Sequence, residues 1–271
     1  ACHARQIRMA ADRGKHILAE KPLALTAAEG AELVGYCKAK SVLLATGLMM
    51  RFGSYVQAMK AAVAAGKIGQ VVSAYAQFTC WYPDMPGNWR QKKSTGGGGA
   101  LMDMGVHVID LIEYVCGART RSVSAMNETL TFDYEVEDSS AVLLRLENGA
   151  LCTVQTHFNI PDEAAKWRLE FFGTRGRLLG DSVIGQVDGG TLDAIFLDGN
   201  SGYDARQDGG TAGRATIEVA FGDAYTREVE SFGRSIRTGA PLEAPAWDAV
   251  HVQRVVEAAY RSGETGRIII L

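Results

Sequence analysis

The chain has 271 residues, of which 47% are hydrophobic and 22% are charged, so it can form one large domain or two modest ones around a real core. Its formal net charge of −3 offers no basic field for a nucleic acid or an anionic membrane surface. The longest apolar runs, such as residues 42–45, are far too short to cross a bilayer, so we expect neither kind of partner.

The first fifty residues alternate between helical and strand patterns. Residues 4–13 place apolar side chains at helical spacing and end at a glycine, and residues 15–20 then read as a short buried strand. Thr26, with Glu29 three residues later, predicts a capped second helix that runs to about residue 40. Residues 42–46 are another short apolar run. Helix, strand, helix and strand in this order predict parallel α/β structure.

After a third predicted helix, over residues 54–65, the segments become rich in Val, Leu, Phe, Thr and Tyr. Glu-Asn-Gly at residues 147–149 is a hairpin signal, so we expect a mainly antiparallel sheet, which a helix over residues 99–116 interrupts. The Gly- and Asp-rich residues 181–216 are expected to form a long loop or weak hairpins. The predicted strands are residues 71–79, 139–146, 150–158, 167–172 and 177–179, and the chain ends with helices over 225–238 and 245–262 and a strand over 267–271.

The tripeptide Glu20-Lys21-Pro22 stands at the end of the first predicted strand. In open α/β sheets, ligands bind at the carboxyl ends of the strands. A lysine in that place can donate to a substrate hydroxyl and can have its pKa lowered by burial. An ordinary strand end followed by a turn has the same sequence, so the tripeptide alone leaves both interpretations open.

Four glycines, residues 96–99, precede the helix that carries Asp103 and His107. The glycines would let the backbone approach a ligand closely, although they do not form a GxGxxG fingerprint. Asp103 and His107 are four residues apart on an otherwise apolar helix, so they share a face. A carboxylate beside an imidazole suits a general acid/base, and a hydrogen-bonded buried histidine is the alternative interpretation.

The five cysteines lie far apart and form no CxxC pair. An odd number of scattered cysteines predicts reduced thiols in a cytoplasmic protein. A zinc site is disfavoured, because no second histidine or cysteine pair accompanies His107 at ligand spacing.

The segment from Trp81 to Lys93 combines aromatic and cationic residues, among them Trp89 and Arg90. Such a loop suits a polar, ring-shaped ligand, because C–H faces stack on tryptophan and hydroxyl groups bond to arginine or lysine. A solvated surface loop with buried tryptophan anchors is equally compatible with this composition.

Together these features resemble the Gfo/Idh/MocA family, named for glucose–fructose oxidoreductase, inositol dehydrogenase and the rhizopine catabolism protein. Residues 14–24 are similar to the family's GKHVxxEKP run, and the resemblance covers essentially the whole chain. The other similar segments follow in family order: Met50-Arg51-Phe52, Asn88-Trp89-Arg90, the glycines, the helix of Asp103 and His107, the Gly-Thr-Arg-Gly turn at residues 173–176, and the closing helix and strand from residue 257 to 270.

The resemblance implies an N-terminal Rossmann domain, a C-terminal α/β domain with an open, mostly antiparallel sheet, and NAD or NADP as cofactor. The implied reaction is hydride transfer between the cofactor and a sugar, inositol or related polyol. By the same resemblance, Lys21 binds the reacting hydroxyl, His107 is the general base in oxidation, and Asp103 positions the substrate and His107. Cofactor contacts are implied for Glu20, Lys21, Pro22 and Arg51, and substrate contacts for Trp81, Trp89, Arg90 and His157.

Two other functions stay open at this point. One is a redox-neutral, NAD-dependent cleavage of glycosides, which releases sugar without net formation of reduced cofactor. The other is a cofactor-free binding or assembly protein. The sequence does not fix the sugar, the oxidised carbon or the preference between NAD and NADP.

The family's first strand, its glycine-rich pyrophosphate turn and the residue that separates NAD from NADP would all precede Ala1. We therefore expect residues 1–52 to be the C-terminal remnant of a Rossmann domain. Residues 53–271 are expected to form the substrate and oligomerisation domain, with the helix over 245–262 packing back on the first domain. We expect this chain to bind the cofactor poorly and to be inactive as written, and we expect a homodimer or tetramer that associates through the open sheet.

Overall fold

A computed structural model describes residues 2–165, 167–197, 199, 203, 205 and 213–271. Within these residues the chain forms a two-stranded sheet of order β1-β2 and a nine-stranded sheet of order β10-β9-β8-β7-β3-β6-β5-β4-β11. The strands are β1 (Ile17–Ala19), β2 (Leu44–Thr46), β3 (Val71–Thr79), β4 (Thr120–Glu128), β5 (Ser139–Leu146), β6 (Leu151–His157), β7 (Arg168–Gly173), β8 (Gly176–Asp181), β9 (Thr191–Phe196), β10 (Arg214–Thr216) and β11 (Ile269–Ile270). The α-helices are α1 (His3–Ala11), α2 (Ala27–Ala39), α3 (Ser54–Ala64), α4 (Lys93–Gly96), α5 (Val106–Cys116), α6 (Ala224–Thr238) and α7 (Ala246–Thr265).

The first sheet is parallel, as the alternation of helix and strand predicts. Strand β1 pairs with β2 from Ile17 opposite Leu44 to Ala19 opposite Thr46. The predicted cap of α2 is confirmed, because the Glu29 amide donates to the Thr26 hydroxyl at 3.2 Å. The last long helix, α7, also packs here: its residues Ala246 and Val250 join the hydrophobic core beneath α1 and α2.

The large sheet is antiparallel except where β3 runs parallel to β6. The predicted hairpin between β5 and β6 is confirmed, and Gly149 adopts the left-handed φ of 90° that the turn requires. In β5, burial alternates, with Leu143 exposed and its neighbours Val142 and Leu144 buried. Helices therefore cover one face of this sheet and leave the other open.

The α/β fold class with a mostly antiparallel second sheet is confirmed, but three segments differ from the prediction. Strand β4 was not predicted, since its Ser, Asn and Glu residues give little strand signal. Strands β9 and β10 lie within residues 181–216, where we expected a loop or weak hairpins, and residues 198, 200–202, 204 and 206–212 of that segment lie outside the described part. The helix over 99–116 is a π-helical turn, Leu101–Gly105, followed by α5.

Candidate active site

A cleft of about 840 Å³ opens at the carboxyl ends of β1 and β2, where they face the helix that carries Asp103 and His107. This is where ligands bind in parallel sheets. The end of β1 contributes Glu20, Lys21 and Pro22, and the segment after β2 contributes an apolar wall that includes two methionines. The cleft thus joins the two sheets of the molecule.

Lys21 and Asp103, which are 82 positions apart in the chain, meet in this cleft. The Lys21 ammonium donates to the Asp103 backbone oxygen at 2.6 Å and to its Oδ1 at 2.8 Å. The guanidinium of Arg90 approaches the same Oδ1 at 3.7 Å. Burial opposes the charge on Asp103, but Lys21 and then Arg90 outweigh it and hold the pKa of Asp103 below its usual value. Asp103 is therefore an anionic anchor for two cations.

The imidazole of His107 also lines the cleft, although His107 is only 8% exposed. Burial, followed by the positive charge of Lys21, lowers the pKa of His107 to about 3, against a smaller opposite effect of Asp103. The ring is therefore neutral at physiological pH. Within the described part of the chain, no group hydrogen-bonds to it, so its nitrogens are available to a ligand. The predicted contact with Asp103 is electrostatic, without a direct hydrogen bond.

The π-helical turn Leu101–Gly105 sets the position of Asp103, and such turns are frequent at functional sites. Its start is held by the buried carboxylate of Glu137, which accepts hydrogen bonds from the amides of Gly99 and Leu101, each at 2.9 Å. The hydroxyl of Tyr260 donates to the same carboxylate at 2.9 Å. Glu137 was not predicted as a site residue, because its role depends on contacts across the fold. Its one sequence signal is that of an acidic residue just before an apolar strand.

The glycine run is closely packed against other segments of the chain, and Gly96 also lines the cleft. The predicted close approach of these glycines to a ligand stays a prediction. A Cβ on Gly98 would lie 2.0 Å from the hydroxyl oxygen of Tyr260, and one on Gly99 would lie 1.8 Å from the backbone oxygen of Glu137. A Cβ on Gly96 would lie 2.6 Å from the backbone oxygen of Arg90. These positions need glycine because other segments of the protein touch their backbone.

The structure brings seven of the predicted residues to the cleft and leaves three outside its lining. The residues that line it are Glu20, Lys21, Pro22, Trp89, Arg90, Asp103 and His107. Trp81 packs edge-on against Phe132 at 5.1 Å, His157 ends β6 half-buried, and Arg51 is buried in an ion-pair cluster. Their predicted ligand contacts stay predictions. Lining residues that the sequence analysis missed include Thr79, Cys80, Asp162, Trp167, Gln186 and Tyr225.

The described residues contain neither a cluster of metal-binding side chains nor a membrane-spanning helix. In that part of the chain, no group of three or more histidine, cysteine, aspartate or glutamate side chains could hold a metal ion. None of the helices found there is both long and apolar enough to span a membrane.

Comparisons with known proteins cover both sheets. Residues 56–179 match the sequence model of the GFO/IDH/MocA C-terminal domain. Residues 1–48 match that of an oxidoreductase family with an NAD-binding Rossmann fold. The two matches meet near the end of β2, where the cleft opens.

The chain is 30% identical over 270 residues to D-xylose 1-dehydrogenase (NADP(+)) 2 of Haloferax volcanii, covering 99% of this chain and 77% of that one. It is 26% identical to myo-inositol 2-dehydrogenase of Thermotoga maritima, covering 99% and 76%. The crystal structure of aldose-aldose oxidoreductase from Caulobacter crescentus, complexed with glycerol, superposes with a TM-score of 0.87 at 25% identity, covering all of this chain and 76% of that one. The chain thus spans about three quarters of the length of these relatives.

Proposed function

Since the chain belongs to the Gfo/Idh/MocA family of NAD(P)-dependent oxidoreductases, we propose that its cleft transfers a hydride between the nicotinamide cofactor and a sugar, inositol or related polyol. The observation that carries the proposal is the meeting of Lys21, Asp103 and His107 in one cleft between the two sheets. A cation, its carboxylate anchor and a neutral imidazole are the groups that the proton transfer of a carbinol oxidation requires.

The residues present fit the nicotinamide end of such a cofactor. The cleft lies at the carboxyl ends of two parallel strands, and Met49 and Met50 give it an apolar wall beside Lys21. Glu20, Lys21 and Pro22 would hold that end of the cofactor. When bound, NAD or NADP supplies the hydride acceptor for oxidation and the hydride donor for reduction.

Each of the three central residues has a separate task in the proposed reaction. Lys21 donates a hydrogen bond to the reacting hydroxyl and stabilises the negative charge that develops on its oxygen. His107 accepts the hydroxyl proton in oxidation and returns it in reduction. Asp103 holds the Lys21 ammonium in place through two oxygens. The protein thereby orients the substrate and handles the proton.

The charges in the cleft support an uncharged polyol as substrate. Lys21 and Arg90 both lie against Asp103, and the lining adds three further carboxylates, those of Glu20, Glu29 and Asp162. Among the described residues the negative charges of the cleft therefore outnumber its two cations, which disfavours an acidic substrate. Burial raises the pKa of the Cys80 thiol to about 12, which keeps this residue neutral too. Trp89 and Trp167 line the cleft, and aromatic side chains of this kind can stack on the C–H faces of a sugar ring.

The test is a comparison of matched substrates, followed by the absorbance of reduced nicotinamide. In a full-length protein that contains this chain, we expect neutral aldoses and inositols to reduce NAD or NADP, with kcat/KM at least about 10-fold above that of the corresponding uronic acid, a difference of about 1.4 kcal/mol. Asp162→Asn keeps the oxygen that accepts a hydrogen bond from the Trp81 amide. This variant should reduce the difference in kcat/KM between the neutral sugar and the uronic acid. A preference for the uronic acid would contradict the neutral substrate, and sugar release without reduced cofactor would favour redox-neutral glycoside cleavage instead.

The proposal extends to the organisation and assembly of the chain. Residues 1–52 would form the cofactor side and residues 53–271 the substrate and oligomerisation side, in a cytoplasmic enzyme. Met126, Leu143 and Leu151 are exposed on the open face of the large sheet, and the exposed fraction of Met126 is 76%. Exposed apolar side chains on one sheet face favour a homodimer or tetramer through that face. Light scattering that gives the mass of one chain would contradict this assembly.

A further inference from the structure

The side chain of Arg51 is 4% exposed and lies in the turn Met49–Phe52 that follows β2. Its guanidinium donates to both oxygens of Asp110, from Nε at 2.8 Å and from Nη2 at 2.5 Å. Its Nη1 donates to Asp248 Oδ2 at 2.8 Å and to the backbone oxygen of Glu243 at 2.7 Å. Four hydrogen bonds in a planar fork hold this side chain in one geometry.

These partners come from the elements that build the cleft. Met49 and Met50, which line the cleft, directly precede Arg51 in the chain. Asp110 stands on α5 one helical turn after His107. Asp248 belongs to α7, the helix that packs on both cores. Arg51 therefore ties the end of a parallel strand to the helix that carries His107.

We propose that Arg51 is a positioning residue that fixes α5 against the end of β2 and thereby holds His107 beside Lys21. The effect of Arg51 on turnover rests on the proposed function, whereas its hydrogen bonds to Asp110 and Asp248 do not. This assignment differs from the cofactor contact that the family resemblance implies for Arg51. The guanidinium makes no contact in the cleft and acts through Asp110.

The chemistry of a buried ion pair favours a geometric role over a stabilising one. Taking two charges out of water costs about as much as their attraction returns, so apolar replacements of similar volume are often neutral for stability. A bidentate arginine–carboxylate pair has a fixed plane and distance, which apolar side chains do not reproduce. Although burial opposes the charge, Asp110 and then Asp248 raise the pKa of Arg51 well above its usual range, so its guanidinium stays charged.

The test measures two properties of each variant in the ligand-free chain: its folding stability and the charge state of His107. The variant Arg51→Met/Asp110→Leu removes both charges of the pair, and Arg51→Lys keeps the positive charge without the bidentate fork. Lys60→Met is the matched control, because Lys60 lies over the same Tyr114 ring as Arg51, at 3.3 Å and 4.8 Å from its centroid, and does not touch Asp110. Chemical denaturation gives stability, and NMR of the histidine rings shows whether His107 is protonated at about pH 5.5, one unit below its ordinary pKa.

In the native chain and in Lys60→Met, His107 is expected to stay neutral at that pH, because burial and Lys21 keep its pKa low. In Arg51→Met/Asp110→Leu, a displaced α5 admits water, so His107 becomes mainly protonated while the chain stays folded. Arg51→Lys should give an intermediate protonated fraction. A folded double variant with His107 still neutral overturns the proposal. If the double variant does not fold, Arg51→Lys decides, and an unchanged His107 in that variant overturns it equally. The measurement needs neither cofactor nor substrate. The expected protonation state of His107 is therefore the same even if the protein does not catalyse the proposed reaction.

Discussion

Replacing His107 by asparagine is expected to lower turnover by about 10²–10⁴-fold, the usual loss when an acid/base group is removed. The reason is that His107 places a neutral, unengaged imidazole in the cleft beside Lys21. Asparagine keeps the polarity of the site but cannot take up the hydroxyl proton. Initial rates of cofactor reduction by a full-length protein that contains this chain, with a substrate identified as above, measure the effect. The loss should appear in kcat rather than in KM alone.

His251→Asn is the matched control for this substitution. His251 hydrogen-bonds to Glu113 from α7 and does not line the cleft, so the rate should stay within a few-fold of that of the native protein. A near-normal rate for His107→Asn would remove the acid/base role from this residue. Equal losses in both variants would show that either histidine matters only through the fold.

Gly99→Ala is expected to destabilise the protein by more than about 3 kcal/mol, which places it among the severe single substitutions. An added Cβ would lie 1.8 Å from the backbone oxygen of Glu137 and 2.8 Å from the carbon bonded to it. Backbone atoms cannot turn aside as a flexible side chain can. The shift would also pull the Gly99 amide from the Glu137 carboxylate. Denaturant unfolding of the variant measures the loss.

Gly35→Ala is the control that separates this contact from a general effect of removing glycine. Gly35 lies on the exposed face of α2, and nothing stands within 4 Å of the position of its Cβ. Alanine in a helix interior should leave stability unchanged or raise it by about 0.5–1 kcal/mol. A Gly99→Ala protein as stable as the native chain would mean that Gly99 and the Glu137 backbone are not as closely packed as described.

Local signals in the sequence predicted the local features well. The Thr26 cap and the turn with Gly149 each depend on a few consecutive residues, and both are confirmed. Lys21, Asp103 and His107 were found through motifs in a fixed order, and the fold then brings them together in one cleft. The pattern could identify these residues because each motif carries its chemistry within a short stretch.

The missed features depend on contacts between distant segments. The role of Glu137 is visible only when β5 lies beside the start of the helix, and the glycines are explained only by the approach of Tyr260 and Glu137. Arg51 follows a strand end like a ligand-binding residue, yet its partners are 59 and 197 positions away. Strand β4 forms because its neighbours β5 and β11 pair with it, although its own residues give little strand signal.

The bond from Tyr260 to Glu137 also bears on when the site becomes complete during synthesis. Lys21 and His107 are both synthesised well before α7, but the carboxylate that holds the π-helical turn receives its hydroxyl donor from that helix. Asp248, the second anion of the Arg51 cluster, comes from the same helix. A nascent chain that has emerged only as far as β10 therefore contains every residue proposed for proton transfer and still lacks two of the contacts that support their positions.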